Sequence, residues 1–222
     1  TLPGFSLFAN SVKVIKGSKY YLVESNGIPA HQMMVGIKIW QQQVPTIQNY
    51  TGGNAWSIPI KPVMATKSIS AKDHFLRGAI AIAVNGLPIF NALNNRGDDA
   101  LLAGELDDWG GHCGRADDYH YHIAPLHLQS VVGKKVPIAY ALDGFPIYGE
   151  YEVNGKKAVA LDEFNGHFDS KKNYHYHGTK NYPYINGGFK GVVTEIEGQV
   201  DPQAATRAFR EAGAPLRGAV IT

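Results

Sequence analysis

A mainly β fold in a single compact domain with an internal duplication follows from three features of the 222-residue sequence: 25 glycines and 12 prolines, apolar runs of strand length between turn residues, and a segment that occurs twice. Many short strands and turns are expected, with one short C-terminal helix. Residues 5–24 read as strands, with Val12 and Val14 alternating about Lys13 and Tyr20 two before Leu22, closed by a turn at Ser25-Asn26-Gly27. Val35 to Gln43 alternates weakly. Trp56-Ser-Ile-Pro-Ile-Lys-Pro62 carries two prolines and fits an edge strand or extended loop, because proline cannot donate to a ladder. Gly78 to Val84, small and β-branched, predicts a buried strand entering a turn at Asn85-Gly86, and Val136 to Leu142 repeats that pattern before Asp143-Gly144. The one helix expected spans about 202–212, with Asp201 as N-cap, Pro202 in the first turn and Gly213 as the stop. No Ser/Pro-rich linker divides the chain, so residues 1–222 are read as one domain.

The formal net charge of +2, with no basic block, argues against a nucleic-acid partner. With 44% hydrophobic residues the chain can bury a core, yet no apolar run approaches the ~20 residues of a membrane span. One cysteine, Cys113, excludes an intrachain disulfide framework and a thiolate metal cluster. Any metal chemistry therefore falls to nitrogen and oxygen. The sequence starts at Thr1 without a leader, as a trimmed piece or as a mature chain after signal removal.

Six of the nine histidines fall in the duplicated segment. Leu106 to His122 aligns without gaps on Leu161 to His177, and the pairs Asp107/Asp162, Gly111/Gly166, His112/His167 and the whole Tyr-His-Tyr-His quartet are identical. Ahead of each copy stands a second shared phrase, Val84 to Asn91 and Leu142 to Gly149, which makes the repeat units 84–122 and 142–177. In a strand, side chains alternate faces, so His120 and His122 project together, as do His175 and His177, with Tyr121 and Tyr176 opposite. His112 and His167, each after a glycine, can supply a third imidazole.

Three neutral imidazoles with an open position suit zinc or copper, whereas calcium and magnesium prefer oxygen. Asp107 and Asp162 are candidates to orient a ligating ring, Asp143 to act as general base, and Tyr121 and Tyr176 as catalytic tyrosines. The bland alternative is that His and Tyr form hydrogen-bonded corners stiffening a helix-poor core. Cys113 faces Phe168 in the other copy and reads as a bystander. Whether each repeat closes its own site or the two pool their ligands is left open by the spacing.

With these residues assembled, the chain resembles the YHYH-domain family, found largely among secreted or envelope bacterial proteins and named for the quartets at 119–122 and 174–177. The resemblance extends through Asn26 to His31, Trp56 to Pro62, Asp143 to Gly149, Tyr182-Pro-Tyr184 and Pro215 to Ala219. It implies a secreted or periplasmic setting and a histidine-rich site. Many members carry cysteines where this sequence has Trp109, Phe164 and Gly188, so any such disulfides are absent here.

Three functions follow as expectations. The first is a metal-dependent hydrolase in which an ion-bound water attacks an ester, phosphate or glycan. The second is a noncatalytic extracytoplasmic protein that holds copper or zinc. The weakest is a polysaccharide lyase or glycan binder using Tyr and His as acid and base.

Overall fold

A computed structural model describes residues 2–193. The helix expected at about 202–212 lies outside the described residues. In chain order the strands are β1 (Val12–Lys16), β2 (Tyr20–Ser25), β3 (Trp56–Pro59), β4 (Met64–Ser70), β5 (Ala79–Ala83), β6 (Pro88–Phe90), β7 (Gly111–Cys113) and β8 (Tyr119–Tyr121), followed by a one-turn helix α1 (Leu128–Val132). The remaining strands are β9 (Ala139–Ala141), β10 (Pro146–Tyr148), β11 (Gly166–Phe168), β12 (Tyr174–His177) and β13 (Gly188–Gly191). The chain is mainly β, as the density of glycine, proline and short apolar runs predicts.

Three sheets form. The meander β1-β2-β3 has β3 at its edge, where Pro59 removes no ladder bond. A two-stranded sheet pairs β13 with β4. The third sheet has eight strands in the order β11-β12-β10-β9-β5-β6-β8-β7, which is palindromic about its central antiparallel pair β9-β5. Each half runs hairpin, parallel step, hairpin: β5 pairs β6, β6 pairs β8 in parallel and β8 pairs β7, while β9, β10, β12 and β11 do the same. The registers correspond as well, His112 opposite His120 in one half and His167 opposite His175 in the other. Both triplets of histidine are thereby brought to opposite ends of one sheet.

Burial explains why β5 and β9 are central. Every side chain of both strands is buried, and Ile80, Ile82, Ile89, Ile138 and Ile147 are fully enclosed, each contributing about 1.5–3 kcal/mol of hydrophobic stabilisation. These short, wholly apolar strands cannot satisfy one wet face, so they go to the middle. The weak alternation at 35–43 forms no strand: Lys38 and Ile39 instead donate to the Gly104 carbonyl, a loop course that delivers Trp40 to the sheet.

The turn at Asn85-Gly86 needs its glycine twice over. Gly86 has φ +84°, and a Cβ there would stand 2.7 Å from Ser25 Cβ and from Val12 Cγ2. Gly86→Ala is expected to cost roughly 2–4 kcal/mol from left-handed backbone strain plus overpacking, lowering the melting temperature by about 5–15 °C. Gly52→Ala, at φ +58° with open space around it, isolates the backbone part. Equal melting shifts for the two would show that the contacts with Val12 and Ser25 contribute nothing.

Candidate metal centre

The glycine before each first histidine has a local cause. A Cβ on Gly111 would lie 2.5 Å from the His120 carbonyl and one on Gly166 2.9 Å from the His175 carbonyl, so only glycine lets the hairpins close and the facing imidazoles meet. At the first cluster His112, His120 and His122 are all buried, and their Nε2 atoms converge: His122 Nε2 lies 3.0 Å from that of His112 and 3.1 Å from that of His120. Each Nδ1 is spoken for by a backbone carbonyl, Glu105 at 3.0 Å for His112, Asp118 at 3.0 Å for His120 and Asn91 at 2.6 Å for His122. A carbonyl can only accept, so each Nδ1 carries the proton and each Nε2 presents a bare lone pair. Three lone pairs at this spacing repel one another unless a cation sits among them.

Burial also favours the neutral form of His112 and His122. Desolvation, reinforced by the His120 ring, lowers His122 to about 3, and desolvation with the neighbouring imidazoles holds His112 still further below the ordinary range. Phe90 stacks on His120 with ring centroids 3.9 Å apart and Trp40 on His112 at 4.2 Å, so the cluster is walled by aromatic faces. Trp40 is fixed by its own indole N–H, which donates to the Cys113 carbonyl at 3.2 Å. A pocket of about 320 Å³ adjoins the cluster, with Asn94, Arg77 and Arg115 on its lining.

The second cluster has the same scaffold and a different chemistry. His167 Nε2 stands 3.1 Å from His175 Nε2, and His177 donates through Nδ1 to the Gly149 carbonyl at 2.8 Å, as His122 does to Asn91. The Nε2 atom of His177 is buried and makes no hydrogen bond. Desolvation lowers His177 to about 4 and also lowers His175. Here a carboxylate joins the imidazoles: Glu152 Oε1 lies 2.8 Å from His167 Nε2 and 3.4 Å from His177 Nε2, and Oε2 lies 3.4 Å from His175 Nε2. The four residues can hold one ion between them, as can the three of the first cluster. His167 and Glu152 are each 22% exposed, against 4% or less for the imidazoles of the first cluster, so the second cluster is the more open of the two. It borders a groove of about 1040 Å³.

The structure closes each triplet on itself, His112 with His120 and His122 and His167 with His175 and His177, rather than pooling them across the sheet. The other expected site residues lie elsewhere. Asp107 accepts from the Tyr119 hydroxyl and from the backbone N–H groups of Met34, Trp109 and Gly111, and Asp162 accepts from Tyr174 and from the N–H groups of Phe164 and Gly166. Neither orients an imidazole of the clusters; backbone carbonyls take that role at His112, His120, His122 and His177, and the carboxylates anchor the loops before β7 and β11. Asp143 is fully buried, accepting from the Tyr176 hydroxyl at 2.6 Å and the N–H groups of Gly191 and Phe145, while burial pushes its carboxyl up to about 6. Tyr176 therefore serves a turn on the face away from the imidazoles. Tyr121 donates to His31 Nε2 at 2.6 Å and accepts from Asn85 at 3.0 Å, on that same far face. Cys113 is buried, its thiol pushed up to about 12, which leaves it inert.

Sequence reasoning passed over Glu152, Trp40 and Phe90. Glu152 had a legible signal: extending the second shared phrase three residues beyond Gly149 sets it opposite Asn94 of the first unit. Trp40 had none, because it reaches its partner from a loop more than 70 residues away.

Residues 55–160 match the model of the family described as YHYH protein. The match contains the first cluster entire and ends just before the second Gly-His and quartet. No curated protein matches the chain, and no solved structure matches it.

Proposed function

We propose that this chain, which carries a YHYH-family domain over residues 55–160, binds a transition-metal ion at each histidine cluster and acts through the second as a metal-dependent hydrolase. The observation that carries the metal reading is the fixed tautomer of the first cluster, three lone pairs converging while every Nδ1 proton is committed to a carbonyl. Neutral imidazoles favour zinc or copper. A bound zinc ion supplies Lewis acidity and a water whose pKa falls toward ~7.

The division of labour rests on access. His112, His120 and His122 are buried, stacked against Phe90 and Trp40 on the smaller pocket, an environment for holding an ion, which is the metal-handling alternative confined to one cluster. His167 and His175 line an open groove with His177 buried behind them, and Glu152 is the carboxylate placed to take a proton there. A secreted or periplasmic setting rests on the family resemblance. Elemental analysis of tag-free protein after zinc loading is expected to give about two equivalents, and a panel of ester, phosphate and glycan substrates to show turnover that Glu152→Gln abolishes. Less than ~0.2 equivalents of zinc or copper would overturn the metal reading, and full zinc with no turnover would overturn the hydrolase.

A further inference from the structure

The two units carry opposite charge at matching backbone positions. The bridge Leu93–Asp99 in the first corresponds to Tyr151–Lys157 in the second, and the bond from Asn94 N–H to the Asp98 carbonyl at 2.8 Å corresponds to that from Glu152 N–H to the Lys156 carbonyl at 2.8 Å. In the loop between the last two strands of each unit, Asp117 at φ +56° corresponds to Lys172 at φ +63°, and the bond from Gly114 N–H to Asp118 to that from Asp169 N–H to Asn173. Where the first unit has Asp98, Asp99, Ala116 and Asp117, the second thus has Lys156, Lys157, Lys171 and Lys172. All four lysines are exposed, line the groove beside Glu152 and His167, and form no salt bridge among the described residues.

From this we infer that the groove of the second centre takes an organic phosphate ester, its phosphoryl group among the lysines and its organic part against Tyr148, Phe168 and Phe145, which also line the groove. The inference rests on the metal reading of that centre and names its substrate class. Two lysine pairs rise from separate loops on one groove and outnumber the carboxylates of Glu152 and Asp169 on the same lining. Lysine serves here as a point charge, and clustered like charge beside an open cleft raises the local concentration of an anionic ligand.

The test transplants residues the backbone already accommodates in the first unit: Lys156→Asp, Lys157→Asp, Lys171→Ala and Lys172→Asp together. Zinc-loaded protein is titrated with inorganic phosphate and assayed with phenyl phosphate and phenyl acetate, with zinc measured on the same samples. The wild type is expected to bind phosphate with an affinity that weakens as salt is added. The quadruple variant is expected to lose at least 10-fold in phosphate affinity and in phenyl phosphate turnover, with zinc content and phenyl acetate turnover unchanged. Unchanged phosphate affinity in the variant, or no phosphate binding by the wild type, would overturn the inference. If zinc fails to bind but phosphate binding still depends on the lysines, the anion site stands and the metal reading alone falls.

Discussion

His122→Ala is expected to reduce tag-free, zinc-loaded protein from about two equivalents to one, leaving the second centre filled. His122 is the right residue because its Nε2 meets both other imidazoles, and its Nδ1 is anchored to the Asn91 carbonyl in the β6 extension. Removing it takes away a ligand and the geometric link between His112 and His120, so affinity at that cluster should fall by more than the ~10–100-fold typical of losing an outer partner. A cavity at a site only 4% exposed lowers stability on its own, so melting temperature must be read against chelated protein. At free metal 100 times its dissociation constant, one bound ion stabilises the fold by about 2.7 kcal/mol, or some 5–11 °C for a chain of this size. Chelation should therefore lower the wild-type melting temperature by roughly twice the shift seen in His122→Ala. His177→Ala gives the reciprocal loss. A variant that keeps both ions, or a wild type indifferent to chelator, would remove the metal account of the imidazoles.

Much of the scaffold is legible in residue pattern because it depends on local rules. The apolar runs at 78–84 and 136–142 become the central strands, and the turns after them fall at Gly86 and Gly144, both at positive φ. Period-2 alternation correctly separates imidazoles from phenols, so four of the six histidine candidates follow from Tyr-His-Tyr-His and the other two from the Gly-His pair that repeats with it. What the alternation could not reveal is hydrogen-bond destination. Asp107 and Asp162 share a repeat with the histidines, yet their partners are Tyr119 and Tyr174 across the hairpin, a pairing visible only once β7 is registered against β8 and β11 against β12. Asp143 likewise precedes a turn and also accepts from Gly191, 48 residues on. The carbonyls that fix the ring tautomers have no side-chain signature at all.

The palindromic sheet order gives the difference between the units its meaning. The same ladder positions hold Asn94 in one and Glu152 in the other, and the same loops hold aspartates or lysines. Asn94 points its amide at Glu105, which the Arg96 guanidinium also contacts, so no carboxylate joins the imidazoles of the first cluster. Glu152 turns to the imidazoles instead. One scaffold thus carries a buried three-nitrogen set at one end and a half-buried nitrogen-and-carboxylate set at the other, which is the physical basis for assigning them different work.

Asp107→Ala is expected to be the most destabilising single change at the first unit, and to act without touching the imidazoles. One buried carboxylate answers four donors, the Tyr119 hydroxyl at 2.9 Å and the N–H groups of Met34 at 2.9 Å, Trp109 at 2.9 Å and Gly111 at 3.1 Å. Each donor left unpaired in the interior costs about 1–3 kcal/mol, so even with some rescue by water the loss should reach ~4 kcal/mol or more, a fall in melting temperature of at least ~10 °C. Asp162→Ala should cost less, because that carboxylate is partly exposed and has no counterpart to the Met34 bond. Asp107→Asn separates anchoring from ring orientation. Its amide keeps one acceptor for the Trp109 and Gly111 turn, so stability should fall by an intermediate amount while zinc per folded molecule stays constant. A 10–100-fold loss of zinc affinity in Asp107→Asn, with stability preserved, would instead make this carboxylate a support of the ligating rings.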